Sequence, residues 1–177
     1  MRNYVADFET TTKLDDCRVW GWGLVDIEDH TRIKVGQDID EFMRDLEMLH
    51  GSKVFFHNLG FDVSFIFDWL LNNGFEYSDK KRNKTFSAII SETNTIYSVE
   101  IIYKRYGKSL KKVVLQDSLK KLPYPVSVIA KAYGLEIAKG EIDYTLDRPV
   151  GWVITPEEVE YIKLYIQVVA QALKYQF

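Results

Sequence analysis

Tyr4-Val5-Ala6-Asp7-Phe8-Glu9 is the stretch on which the reading of this chain turns. Tyr4, Val5, Ala6 and Phe8 are the residues of a largely buried β-strand. On a strand, positions i and i+2 point to the same face, so Asp7 and Glu9 present two carboxylates about 6–7 Å apart. That spacing lets Asp7 bridge two divalent ions while Glu9 holds one. Two-ion phosphoryl chemistry asks for hard oxygen ligands around ions about 3.5–4 Å apart. An exposed acidic strand face would carry the same Asp-x-Glu. The apolar strand around this one sets it apart, because an unpaired carboxylate is costly there.

Working outward, the next acid in a comparable setting is in Phe56-His57-Asn58-Leu59-Gly60-Phe61-Asp62. Lys53 to His57 reads as a short strand, Gly60 as the bend after it, and Phe61 to Leu71 as a strongly apolar helix stopped at Asn72-Asn73-Gly74. Asp62 then lies in a first turn, where the helix dipole favours an acid, so capping and metal ligation both remain open for it. His57 is read as structural, since two-ion phosphoryl sites favour oxygen ligands.

The rest of the layout alternates. Val19 to Val25 is a second strand, hairpin-paired with the first, and Ile39 to Leu49 a helix behind the cap Asp38. Thr85 to Ser91, Thr95 to Tyr103 and Ser109 to Gln116 read as strands. A helix from Val126 to Tyr133 is closed by Gly134, and a loop runs from Glu136 to Val153. Thr155-Pro156-Glu157-Glu158 opens a last helix, with a cap, a first-turn proline and acids in the first turn. Strands first and then helices among further strands predict an α/β fold, a mixed sheet flanked by helices.

With 177 residues, 46% hydrophobic, the chain can bury one sizeable core, and residues 1–177 are expected to form a single domain. No run of about 18 apolar residues offers a membrane span, and the amino terminus turns acidic by Asp7, which predicts a cytoplasmic protein without membrane partners. Cys17 is the single cysteine, which excludes an intramolecular disulfide; a buried or idle thiol is expected. Net charge is −3, yet residues 80–121 hold eleven basic against three acidic side chains, net +8, leaving −11 for the remainder. Two readings fit: a phosphate surface beside an acidic metal cleft, or solvated hairpin edges whose charge discourages edge pairing.

Several motifs in order then carry a resemblance. Asp7-Phe-Glu-Thr-Thr-Thr12, His57-Asn-Leu-Gly-Phe-Asp62, Asp117-Ser-Leu-Lys-Lys-Leu-Pro123, Lys139-Gly-Glu-Ile-Asp-Tyr144, Arg148-Pro-Val-Gly151 and Thr155-Pro-Glu-Glu158 resemble the 3′–5′ exonuclease domain of phage protein-primed family B DNA polymerases, essentially from end to end. The resemblance implies an RNase H-like (DnaQ-type) exonuclease fold that removes mispaired nucleotides with two Mg²⁺ or Mn²⁺ ions. It implies Asp7, Glu9 and Asp62 as metal ligands and Lys139 as a basic residue assisting the reaction. Tyr161 is implied to orient the scissile phosphate or its water. Thr10, Asn58, Phe61, Phe65, Ser118, Leu119 and Tyr144 are implied to hold single-stranded DNA at its 3′ end. Aromatic faces suit that task, since base stacking is worth about 1–3 kcal/mol per base whatever the sequence.

The third motif departs from the family. Where the family has Tyr-x-x-x-Asp, this chain has Tyr161-Ile-Lys-Leu-Tyr165. Residues four apart share a helical face, so Tyr165 is expected where the fourth carboxylate belongs. A phenol with a pKa of about 10 does not replace a hard anionic ligand near neutral pH. Glu158 shares the face but lies seven residues, about 10 Å, up the axis, and Glu160 points elsewhere. Weakened metal binding at one of two positions follows, with exonuclease activity reduced or lost. No fingers, palm or thumb motif occurs in the 177 residues, so no polymerase activity is expected of them. The alternatives are an active proofreading exonuclease domain and a non-catalytic module that binds DNA ends or a replication partner, such as a terminal priming protein or a polymerase.

Overall fold

The structure, a computed structural model, describes residues 1–135 and 142–177. In chain order the elements are β1 (Asn3–Thr10), β2 (Val19–Asp26), β3 (Ile33–Gly36), α1 (Ile39–Met48), β4 (Lys53–Phe56), α2 (Leu59–Asn72), β5 (Glu76–Tyr77), β6 (Thr85–Ile90), β7 (Ile96–Tyr106), β8 (Ser109–Asp117), α3 (Val126–Ala132) and α4 (Pro156–Lys174). The strands form one mixed sheet among the described residues, in the order β3-β2-β1-β4-β8-β7-β6-β5. β1, β4 and β8 run parallel at its centre. β2 and β3 extend it antiparallel on one side, β7 and β6 on the other. The predicted mixed α/β sheet is observed, with β3 and β5 in addition.

Side-chain alternation along β1 divides the core in two. Tyr4, Ala6 and Phe8 point to a layer filled by α1 and α2, while Val5 points to the layer of α3 and α4. In the first layer, Phe8 meets Phe42 edge to face at 4.8 Å and Phe56 at 5.4 Å, and Trp22 meets Phe42 at 5.5 Å. Such pairs add about 0.5–1.5 kcal/mol each beyond the area they bury, which seats α1 firmly on the sheet.

The second layer depends on two glycines. A Cβ on Gly23 would lie 2.7 Å from Ile162 Cγ2 and 2.8 Å from Ile166 Cδ1, and one on Gly21 would lie 3.1 Å from Ile162 Cδ1. Helix α4 therefore sits close on β2 because β2 has no side chains at these positions. In the ladder Gly23 pairs with Asp7 and Gly21 with Glu9. The helix is thus brought down beside the two acids of β1.

Both ends of α4 are fixed by sequence. Thr155 Oγ1 accepts from Glu158 N at 3.2 Å and Glu158 Oε1 accepts from Thr155 N at 3.0 Å, the capping box that Thr155-Pro-Glu-Glu158 predicts. Lys174 in the last turn suits the negative end of the dipole. One predicted detail is corrected: the bend after β4 is at Asn58, which takes the left-handed conformation with φ 74°, and Gly60 already lies inside α2. Cys17 is exposed, so of the two readings of its thiol the buried one falls.

Candidate active site

In an open sheet the carboxyl ends of parallel strands, with the loops that leave them, form the natural crevice. Here β1, β4 and β8 deliver Asp7 and Glu9, then His57 and Asn58, then Asp117, Ser118 and Leu119 to the same edge. Parity on β1 turns Asp7 and Glu9 away from the Phe8 layer and toward α4. Helix α2 starts at this edge, and Asp62 lies in its first turn. Asp62 is 3% exposed, and its Oδ1 is buried with no hydrogen-bond partner. Its carboxylate also takes hydrogen bonds from the backbone of Phe8 and of Asp62 itself, so the helix start and the crevice share this side chain.

The three carboxylates are electrostatically strained. Burial, then the negative charges of Asp62 and Glu9, hold Asp7 well above the ordinary carboxylate range. Burial, then the charge of Glu9, does the same to Asp62. Burial pushes Glu9 up to about 7 even though a hydrogen bond from Tyr144 and the nearby Arg148 guanidinium pull it down. An uncompensated negative site of this kind is what a divalent cation relieves.

The hard-oxygen donor set, the mutual repulsion and the orphaned Asp62 Oδ1 fit such a cation in kind. They do not form a finished cage: among the described residues no three His, Cys, Asp or Glu side chains gather closely enough to hold a metal ion.

Tyr165 stands where the sequence places it. It is partly buried against the α3/α4 core and lines the same cleft as Asp7 and Asp62. Burial, then the charges of Asp7 and Asp62, push its phenol far up, so it is neutral at any physiological pH. Glu158 is no substitute: it caps α4, pairs with the buried Arg148 at 2.9 Å and accepts from Trp152 Nε1 at 3.1 Å. Glu160 is exposed beside Lys163.

Two further tyrosines complete this wall. The Tyr144 hydroxyl donates to Glu9 Oε2 at 2.9 Å and also shares a hydrogen bond with Tyr161, whose ring lies 6.4 Å from that of Tyr165. Burial, then the charge of Glu9, keeps Tyr144 protonated.

The cleft itself is open and measures about 1400 Å³. That exceeds the roughly 300–1,000 Å³ of small-molecule pockets and suits a polymer end. Asp7, Asp62, Asn58, Phe61, Tyr161 and Tyr165 line one part, while Pro123 to Val126 and Leu135 form an apolar wall. Phe61 is 53% exposed and its ring meets the half-buried Phe65 at 5.8 Å, so an aromatic face is open to the cleft. Asn58 is exposed and Leu119 half-buried, whereas Thr10 is buried at the end of β1.

Ser118 differs from its expected place on the DNA surface. It is fully buried, and its Oγ lies 2.9 Å from His57 Nδ1. His57 Nε2 lies 2.8 Å from the Tyr124 carbonyl, which can only accept, so Nε2 carries the proton and Nδ1 accepts from Ser118. The pair straps the Tyr124 segment of the wall to the floor, the structural role read for His57. Lys139 lies outside the described residues.

The sequence reading assigned no role to Arg148. It is 4% exposed, lies 4.1 Å from the Trp20 ring centroid, grips Glu158 and donates to the Asp143 carbonyl at 2.8 Å, so it ties α4 to the segment carrying Tyr144. An arginine between Trp20 and Trp152 was the available signal, but their proximity is a matter of folding.

Three lysines of the basic middle third have carboxylate partners. Lys111 pairs with Glu47, and Lys81 and Lys112 pair with Glu100. The β7–β8 turn lies at the start of β8, roughly 26 Å of strand from Asp117. Its lysines decorate a hairpin far from the acids.

Residues 44–177 match the family described as DNA polymerase type B, organellar and viral. The chain is 48% identical over 174 residues to the DNA polymerase of Bacillus phage phi29 and 27% identical over 183 residues to that of Streptococcus phage Cp-1. These alignments cover 98% and 96% of this chain but only 30% and 29% of those proteins. Among solved structures, phi29 DNA polymerase complexed with single-stranded DNA superposes with a TM-score of 0.95 at 46% identity, covering 99% of this chain and 31% of that one. The sheet, the acidic crevice and these alignments agree with the motif resemblance, and the chain belongs to the type B DNA polymerases, in their exonuclease domain.

Proposed function

We propose that residues 1–177 form a single exonuclease-type domain that holds the 3′ end of single-stranded DNA in the acidic cleft, with metal-dependent cleavage weakened or lost. The observation that carries the second half is Tyr165, a neutral phenol facing Asp7 and Asp62 where the family motif has a carboxylate. The first half is supported by the exposed Phe61 platform, by the open cleft and by the similarity to a polymerase complexed with single-stranded DNA.

Bound Mg²⁺ or Mn²⁺ would supply an activated water and neutralise charge on the leaving oxygen. Asp7, Glu9 and Asp62 would hold the ion, Tyr161 would orient the scissile phosphate, and Phe61, Phe65 and Leu119 would take the terminal bases. Lys139 offsets developing charge on the phosphate. Tyr165 leaves one ion position short of an anionic ligand, so binding outlasts chemistry. The same observation favours a second reading, a module that binds DNA ends or a replication protein without cutting. Either activity would be exercised in the cytoplasm, that of the host if the chain is encoded by a phage or prophage.

Degradation of a 5′-labelled single-stranded oligonucleotide with Mg²⁺ or Mn²⁺ tests this. The wild type, Tyr165→Asp and Asp7→Ala proteins are compared. Cutting by Tyr165→Asp alone supports the reading; efficient cutting by the wild type, abolished in Asp7→Ala, overturns it.

A further inference from the structure

Asn58 and Leu119 line the main cleft and also a second cavity, of about 430 Å³, whose other walls include Asn94, Tyr97, Asp117 and Lys120. It lies at the same end of the sheet as the acids, because Ser98 at the start of β7 pairs with Gln116 at the end of β8. Its rim is fixed: the buried Asp117 accepts from Leu119 N at 2.8 Å and Asn58 N at 3.3 Å. The exposed Lys120 places its Nζ 3.2 Å from the centroid of the Tyr97 ring. Lys81, Lys111 and Lys112 face carboxylates, whereas Lys120 rests on a neutral ring.

We propose that this second cavity is a subsite for a nucleotide of single-stranded DNA upstream of the terminal ones, with Tyr97 as the platform for its base and Lys120 as the contact for its phosphate. This rests on the reading that the main cleft holds a 3′ end, since Asn58 and Leu119 border both cavities and make them neighbours. An ammonium over a ring marks the ring face as accessible and electron-rich. A base has its own π-face and can replace the ammonium there, freeing Lys120 for the phosphate beside it. The exchange leaves no buried charge unpaired, because Lys120 is exposed throughout. Asp117 also lines the cavity and repels phosphate, which sets the polarity: the phosphate lies outward at Lys120 and the base inward on Tyr97. The cavity lies within the roughly 300–1,000 Å³ that small ligands fill.

Fluorescence anisotropy with 5′-labelled oligothymidylates of increasing length, carrying cleavage-resistant phosphorothioate 3′ ends in Mg²⁺, tests it. Affinity is expected to rise with length, and one step of that rise, about tenfold, is expected to vanish in Tyr97→Leu. Lys120→Met is expected to flatten the slope of log K against log salt by about 0.7 for the longer strands, with dinucleotide affinity unchanged in both variants. Circular dichroism confirms that both fold. If longer strands bind more tightly and both variants retain the full rise, the subsite is wrong while the cleft reading stands. If no length binds, the cleft reading fails and takes the subsite with it. Phe61→Ala, which acts in the main cleft, is expected to weaken every length and so separates the two sites.

Discussion

The hydroxyl of Tyr144 donates to Glu9 Oε2 across 2.9 Å, joining positions 135 residues apart in the chain. Glu9 is 5% exposed, so this is one of the few polar partners available to it. Replacing Tyr144 by Phe leaves the carboxylate less satisfied. At pH 8 the expected loss is about 1–3 kcal/mol of unfolding free energy, and at pH 5, where Glu9 is protonated, it is smaller. Urea denaturation at the two values reads the difference; equal losses would show that the bond does not discriminate between the charge states.

Removal of metal has a pH signature with a definite sign. Glu9 is raised from 4.5 to about 7, and Asp7 and Asp62 are raised in the same direction. Their contribution to stability is complete below the ordinary carboxylate range and is lost as pH rises through the folded values. His57, lowered mainly by burial, acts oppositely and costs stability as pH falls through its ordinary 6.5. In EDTA the melting temperature is therefore expected to fall between pH 6.5 and 8. Mn²⁺, which favours the ionised acids, should restore more at pH 8 than at pH 6. A metal effect that is equal at both would separate ion binding from these carboxylates.

Gly23→Ala is expected to destabilise the fold by about 1–3 kcal/mol, because its Cβ meets two isoleucine side chains at 2.7 and 2.8 Å in a packed layer. Gly21→Ala, with its nearest atom at 3.1 Å, should cost less. Chemical denaturation of the two variants gives the order.

Arg148→Met strands Glu158 beside Trp152 and removes the grip on the Asp143 carbonyl. Breaking one side of a buried pair costs about 3–5 kcal/mol. Arg148→Met, Glu158→Gln in combination should recover part of that, and the recovery, read by thermal melts, separates charge stranding from lost packing.

What the sequence made legible here was local. Alternation along Tyr4 to Glu9 gave strand and face together, and Thr155-Pro-Glu-Glu158 gave a helix start with its cap and first-turn proline. Tyr165 was placed by the four-residue period of a helix. Where the answer depended on which segments meet, local pattern gave nothing. The bend was assigned to Gly60, because glycine is the usual left-handed residue, yet Asn58 takes that conformation. β3 and β5 are four and two residues long, too short for periodicity to register. The family resemblance put Ser118 among the residues at the DNA end, and nothing local showed that the pairing of β4 with β8 would bury it beside His57. The lysines of the β7–β8 hairpin read as one patch with Lys120, although a full strand length separates them.

The seat of α4 on Gly21 and Gly23 involves Ile162 and Ile166, the residues that follow Tyr161 and Tyr165. The mount and the chemistry are therefore carried by different letters of one helix. Position 165 can therefore be altered without touching the two isoleucines that seat the helix, and Tyr165→Asp would put a carboxylate on the same helical face.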